Sequence, residues 1–507
     1  MSLSSRPVAV AFVLLASASS SLAAPITAVL RLRARVSIEA LAGSVSDPKS
    51  AHYGRFYTPE EIGAVSGPSD LDYRALLAQV RADGFKIESE SPTHLWVGIS
   101  GDAPHFEKTF GAKFEFLADG RHRDVASARV PFRYSMIQSV AGLDSVRKAR
   151  PHLRRGEDGV ASATGISQGA IKTAYGFDAI YRAGITGKGQ HVAVATYDGF
   201  NVDDVREFYR VSNLSPGPTV DLVSFNGTAA FDSDSAIETE LDAEFSGMIA
   251  PGAAVHVFAS ASNSDAGELQ MFTAILDDNR AKVANYSWGS CETELTPAHR
   301  DEMAKVFARA QAQGVNVMVA SGDTGSDSCG NGTLVADWPA AAIGVVAVGG
   351  TTLSLQNSIL SESAWKGSGG GISAVFGLPT WQSGLGGPFV RRSYPDVAFN
   401  ADPSSGQAVW AHVNGVARWL VIGGTSMSAP QWSGFMALVG EAREAAGLGP
   451  LGDLNPVLYG LKPSERETML NDVTVGSNGA YQAGPGWDAV TGFGSLQAAG
   501  LLERLAR

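Results

Sequence analysis

At 507 residues the chain is too long for one small domain, and a hydrophobic content of 44% supports a sizeable core rather than a disordered polymer. Its formal charge of −12, with no basic face in the C-terminal part, argues against nucleic acid as a partner. In acid the carboxylates take up protons and that charge moves toward zero or positive.

In chain order, the first element reads as an export signal. Arg6 precedes the apolar run 8–16, and Ser21-Leu22-Ala23 offers small residues for cleavage, so residues 1–23 are predicted to be a signal peptide. The run is too short to span a bilayer, and no later segment qualifies. The expected location is secreted or otherwise extracytoplasmic, with no membrane partner.

Residues 24–150 read as a separate unit. A helical pattern over 70–82 alternates with strand-like runs at 95–99 and 114–117, which predicts a small α+β domain. A basic stretch follows, from Arg147 through Arg154-Arg155-Gly156 to Ser162. It reads as an exposed linker, placed at 151–165, where a precursor is open to cleavage. The remainder, 166–507, alternates strand runs (192–195, 255–258, 315–320, 344–348) with helical patterns (268–278, 297–313). That alternation predicts an α/β parallel sheet with helices on both faces. The run Gly367-Ser368-Gly369-Gly370-Gly371 lacks the Lys-Ser/Thr of a phosphate cradle and reads as a cleft loop.

The segment Gly423-Gly424-Thr425-Ser426-Met427-Ser428-Ala429-Pro430 carries the most chemistry. It follows the apolar run 419–422 and opens a helical pattern in which Phe435, Met436, Leu438 and Val439 recur on one side. Ser426 therefore belongs at a strand-to-helix turn, with glycines permitting the bend and Pro430 expected in the first helical turn. Unpaired N–H groups and the positive end of the helix dipole surround its hydroxyl and favour developing negative charge. A plain N-cap serine is the blander reading. The eight-residue string resembles the nucleophile segment of subtilisin-like proteases.

Of nine histidines, none stands in the helix start where such proteases place their base, and His191 and His256 fall in strand-like runs. Acids are the alternative. Residues 236–245 read as helix with an apolar stripe of Ile237, Leu241, Phe245 and Met248. Glu238 and Asp242 share one face and Glu240 and Glu244 share one too, and the helical wheel does not choose between the pairs.

Glu238-x-x-Leu241-Asp242 followed by Ala250-Pro251-Gly252-Ala253 resembles the acid helix of the sedolisin family, the serine-carboxyl peptidases. Tyr286-Ser287-Trp288-Gly289 resembles that family's cleft strand, and Ala320-Ser321-Gly322-Asp323-Thr324-Gly325 its oxyanion segment. The stretch from Ser46 to Glu61 is similar to the start of its pro-kumamolisin-type activation propeptide. The resemblance implies a subtilisin-like α/β fold preceded by a propeptide domain that inhibits the enzyme intramolecularly. It implies Ser426 as nucleophile, Glu238 as general base, Asp242 as relay acid and protonated Asp323 as oxyanion stabiliser. One departure stands out: where some relatives carry a further relay glutamate, this chain has Thr196, with Asp198 two residues on.

The chemistry is coherent. Two carboxyls sharing a proton titrate apart, which leaves one ionised to accept the serine proton in mild acid. Only a protonated Asp323 can donate to an oxyanion. The expected protein is a secreted, acid-active endopeptidase made as an autoactivating, monomeric zymogen acting on proteins or peptides, with a tripeptidyl-type exopeptidase as the alternative.

Near the C-terminus, Asn471-Asp472-Val473-Thr474 and Ala483-Gly484-Pro485-Gly486-Trp487-Asp488 resemble the family's calcium site. The carboxylates of Asp472 and Asp488, with carbonyls of Val473, Gly484 and Gly486, would hold one structural Ca2+, completed by water. Family members with cysteines at this spacing imply a Cys291–Cys329 disulfide, with two free thiols as the alternative. A binding protein with a dead site and an ester hydrolase are the remaining readings. Four intact site residues weigh against the first. The second lacks a Gly-x-Ser-x-Gly elbow.

Overall fold

A computed structural model describes residues 25–155, 165–214, 217–231, 236–356, 359–385 and 389–507. The expected signal segment lies outside these residues, as does 156–164 of the expected linker.

The first unit is a four-stranded antiparallel sheet. Ile26–Leu32 is central, flanked by Trp96–Gly101 and Ile137–Ala141, with Lys86–Glu90 on the outer edge. Helix Asp70–Ala82 forms as its pattern predicts. Ser69 accepts from Asp72 N–H as N-cap, and Tyr73, Leu76, Leu77 and Val80 recur every three or four residues to make the buried stripe.

The second unit is built on an eight-stranded sheet. Strands Thr219–Leu222, Ala254–Ala259, His191–Thr196, Val283–Tyr286, Asn316–Ala320 and Val346–Gln356 lie side by side in parallel. Val397–Asn400 adds in parallel and Ile359–Ala364 antiparallel along the last of these. The central strands are rich in Val and Ala because both faces are covered. Within His191–Thr196, Val192 and Val194 enter one core with Leu241, Phe245, Trp432 and Phe435. Ala193 and Ala195 enter the other, with Leu269, Phe272, Val306 and Phe307. That alternation places helices Ile237–Ile249 and Thr425–Ala445 on one face, and Asp265–Asp278 and Pro297–Ala312 on the other. The predicted α/β parallel sheet with helices on both faces is what forms.

The first unit docks on the second face. Helix Ile38–Ser46 packs along Pro297–Ala312, and their apolar side chains belong to one continuous core. Buried ion pairs cross the joint. Arg147 donates from Nε to Asp265 at 2.9 Å and from Nη2 to Glu268 at 2.5 Å, and His299 Nε2 lies 2.6 Å from the same Glu268 oxygen. Burial pushes Glu268 up, but Arg147 and His299 outweigh it and hold its pKa at about 2. The basic stretch from Arg147 is therefore not solvated throughout. Arg147 is 7% exposed because it has acid partners inside the joint, whereas Arg150, Arg154 and Arg155 stay exposed.

Candidate active site

The site lies beyond the carboxyl ends of the parallel strands, where ligands of open α/β sheets bind. Ser287 follows strand Val283–Tyr286, Asp323 follows Asn316–Ala320, and Ser426 opens helix Thr425–Ala445.

Strand Val416–Gly423 runs into that helix through Gly424, whose φ of 105° suits glycine alone. A Cβ on Gly424 would lie 2.3 Å from His152 O and 2.7 Å from Asp323 Oδ2. Pro430 is not in the first turn as the sequence reading has it. It is the sixth residue of the helix, where it has no N–H to offer the carbonyl of Ser426.

Glu238 and Asp242 face the nucleophile, which answers the question the helical wheel leaves open. All thirteen residues of Ile237–Ile249 are buried. Asp242 Oδ1 accepts from Ser287 Oγ at 2.6 Å. Neither Glu238 oxygen has a hydrogen-bond partner, nor does Asp242 Oδ2. Burial, then the neighbouring Asp242, push Glu238 well above the ordinary carboxylate range, and the nearby Ser426 hydroxyl offsets part of that rise. Burial likewise raises Asp242, against its bond from Ser287. In this state Ser426 Oγ donates to Ser287 O at 3.3 Å and is free to turn to Glu238.

Glu240 and Glu244 point away from the serine. Glu240 accepts from Asn201 N–H and Glu244 from Trp410 N–H. Burial raises Glu240 to about 8. Its contribution to stability is fully present below the unfolded value near 4.5 and is lost as pH rises through about 8. Glu240 thus favours the fold in acid. Thr196 bonds Thr239 Oγ1 at 2.8 Å, in contact with the acid helix but with no bond to either site acid. His191 and His256 pair with one another at 2.9 Å along the sheet.

Asp323 is bonded to Thr425, the residue before Ser426. Its Oδ1 accepts from Thr425 N–H at 2.7 Å and Thr425 Oγ1 at 2.9 Å, while Oδ2 is buried with no hydrogen bond and lies 3.7 Å from Arg154 Nε. Burial lifts Asp323 to about 6, although His152, Thr425 and Arg154 pull the other way. The glycine run 367–371 braces this turn rather than lining an open loop. Gly369 N–H reaches Gly322 O, and Ser321 Oγ donates to Gly369 O.

The basic stretch passes through the cleft in extended form, which no local signal in the sequence announces. Arg150–Pro151 pairs antiparallel with Trp288–Cys291, and Arg154–Arg155 with Val416–Gly423. Between them His152 N–H donates to Ser287 O at 3.0 Å, and Ser426 N–H donates to His152 O at 2.9 Å. The His152 side chain reaches Asp337 at 3.2 Å. Ser287 and Thr425 lie inside motifs the sequence already singles out, with no role of their own assigned there, and His152 and Asp337 are the members of this site that sequence reasoning missed. Cys291 and Cys329 are bonded, tying the cleft strand to the loop after Asp323.

Near the C-terminus, Asp472 Oδ2 accepts from Gly486 N–H at 2.8 Å and Asp488 Oδ2 from Gly484 N–H at 3.1 Å. Both carboxylates thus reach one loop. Among the described residues no hydrogen bond takes up the carbonyls of Val473, Gly484 or Gly486. No group of three or more His, Cys, Asp or Glu suited to a metal exists among them either. The all-oxygen donor set, three of its five protein groups backbone carbonyls, suits a hard cation such as calcium and not a soft one.

Residues 11–146 match the pro-kumamolisin activation domain and residues 226–494 the subtilase family. Kumamolisin from Bacillus sp. (strain MN-32) is 34% identical over 495 residues, covering 90% of this chain and 87% of that protein. Tripeptidyl-peptidase 1 of Canis lupus familiaris is 27% identical over 517 residues, covering 92% and 89%. Among solved structures, Pseudomonas sedolisin, a serine-carboxyl proteinase complexed with two molecules of pseudo-iodotyrostatin, superposes with a TM-score of 0.60. The identity is 29%, over 68% of this chain and 99% of that one.

Proposed function

This chain belongs to the sedolisin family and is a serine-type peptidase, and from that premise we propose an exported, acid-acting endopeptidase made as an autoactivating zymogen. Ser426 Oγ attacks the scissile carbonyl as Glu238 takes its proton. Asp242, fixed by Ser287, shares the charge of the pair. The oxyanion settles between Ser426 N–H and a protonated Asp323 Oδ2. Glu238 then returns the proton to the leaving amine, and water releases the acyl group by the same steps.

The observation that carries this reading is the convergence of Ser426 N–H and Asp323 Oδ2 around the carbonyl of His152, with Glu238 beside the Ser426 hydroxyl. It is tested by digesting a denatured protein with the purified chain at about pH 4 and about pH 7.5, which bracket carboxylate titration. Cleavage in acid alone supports the reading. Equal cleavage at both values sinks the carboxylate base. The cleft supports internal cleavage over tripeptide release, because chain enters it on both sides of His152 and continues well beyond three residues on the N-terminal side. Internal fragments are expected by mass spectrometry, and a ladder of tripeptides would reverse the assignment.

Activity is expected to fall as pH rises through about 6, where Asp323 ionises and repels the oxyanion. Asp323→Asn keeps a donor at every pH and should flatten that limb. Asp323→Ala should lose about 10²–10³-fold throughout. A falling limb unchanged in Asp323→Asn would assign it to another group.

The loop held by Asp472 and Asp488, with the carbonyls of Val473, Gly484 and Gly486, is proposed to bind one Ca2+ as a clamp on the C-terminal region, remote from the chemistry. Chelation should lower the melting temperature by several degrees, the effect of losing about 2–3 kcal/mol of ligand stabilisation. Asp488→Asn should show a similar drop that added calcium does not restore. A melting temperature indifferent to chelator removes the site.

A further inference from the structure

Resting on that peptidase reading, we propose that Thr425 is a positioning residue: it decides which oxygen of Asp323 carries the proton, and so aims that proton at the oxyanion.

Helix Thr425–Ala445 opens without a side-chain cap of its own, because its N-cap residue is Gly424. A carboxyl from a distant turn takes the place, with Thr425 N–H donating to Asp323 Oδ1 at 2.7 Å. The Thr425 hydroxyl donates to the same oxygen at 2.9 Å and accepts from Gly322 N–H at 3.1 Å. The whole arrangement is shut away from water, since Thr425 is buried. A carboxyl oxygen has two lone pairs, and here both of those on Oδ1 are taken. A proton on Asp323 therefore has Oδ2 left to occupy. Oδ2 takes no hydrogen bond, and a Cβ placed on Gly424 would lie 2.7 Å from it and 2.3 Å from His152 O. The oxygen that Thr425 leaves vacant is the one that faces the carbonyl.

The hydroxyl has a second task. Through Gly322 N–H it ties the turn that carries Asp323 to the helix that carries Ser426, so the proton donor and the nucleophile hold one register.

The same bonds narrow the range of pH in which the donor exists. Donors aimed at a carboxyl favour its ionised form, so both Thr425 bonds pull the Asp323 pKa down against burial. His152 and Arg154 of the linker act in the same sense. Glu238 of the acid helix faces Asp323 as a like charge, and Asp337 stands behind His152. Losing the hydroxyl alone thus raises the folded pKa and keeps Asp323 protonated to higher pH, while loosening the aim of its proton. Rate and range move in opposite directions, which a residue that only packs the helix start does not produce.

Thr425→Val keeps the shape and the backbone N–H and deletes the hydroxyl. In the processed enzyme, kcat at about pH 4 is expected to fall about tenfold with KM within about threefold of native. The falling limb of the kcat profile is expected to move up by about one pH unit. Thr425→Ser returns the hydroxyl and is expected to restore both rate and limb, with melting curves of all three proteins checking the fold. Should Thr425→Val not fold, a neutron structure of the full chain carrying Ser426→Ala, crystallised at about pH 4, is expected to show the Asp323 deuterium on Oδ2. A limb that stays or moves down, a rate in acid equal to native, a serine that does not rescue, or a deuterium on Oδ1 overturns the inference and leaves the peptidase reading intact. A native chain that cleaves no substrate in acid overturns both.

Discussion

Glu238→Gln is expected to lower peptide cleavage at about pH 4 by about 10²–10⁴-fold while raising the melting temperature measured near pH 7. The loss is that of a general base positioned beside its nucleophile, which acts in the fraction of molecules whose Glu238–Asp242 pair has released a proton. The gain follows from burial. Neither Glu238 oxygen has a partner, and burial beside Asp242 pushes its pKa well above the carboxylate range. A carboxyl raised in the folded state lends stability below its unfolded value near 4.5 and loses it as pH rises through the folded value. Glutamine carries no charge to bury, so its advantage widens toward neutrality and vanishes below about pH 4. Thermal melts of both proteins at about pH 3.5 and pH 7 check this. A variant less stable at pH 7 would show that Glu238 is held by interactions its surroundings do not reveal, and undisturbed cleavage would remove it from the reaction.

Ser426→Ala is expected to leave the chain in one piece after prolonged incubation in acid, with peptide cleavage down by about 10⁴-fold or more. Its fold should hardly notice. The hydroxyl makes one bond, at 3.3 Å to Ser287 O, and that carbonyl keeps the His152 N–H. Intact mass before and after acid treatment, with a melting curve for each protein, reads both halves of the expectation. Self-cleavage that persists in the variant would mean that another molecule or another group cuts the linker.

The serine turn was legible because backbone and chemistry share one short string. Glycines at 423 and 424 permit the bend, and the helix that follows supplies N–H groups and dipole, all within eight residues. The sheet was legible for a similar reason: runs such as Val192–Ala195 need both faces covered, and only a layered α/β fold does that. The acid helix was half legible. Four acids in one helix ordinarily mark a solvated face, but here the helix is buried all round and amphipathicity cannot sort them. Their roles are decided by partners from distant strands and loops, Ser287 for Asp242, Asn201 for Glu240 and Trp410 for Glu244. His152 and Asp337 were illegible on the same ground. Each is an ordinary residue in its own neighbourhood, and only the folded chain brings them together.

Arg147 lies on the propeptide side of the linker and is held by Asp265 and Glu268. Acid loosens an ion pair when it protonates the carboxylate, but Glu268 stays ionised down to about pH 2, so this pair survives the pH at which the enzyme is expected to work. Cutting the linker in mild acid is therefore expected to divide the chain without parting the pieces. The severed propeptide is expected to remain a bound competitor, with free enzyme accumulating after a lag whose length follows the dissociation or digestion of that fragment rather than the rate of the first cut.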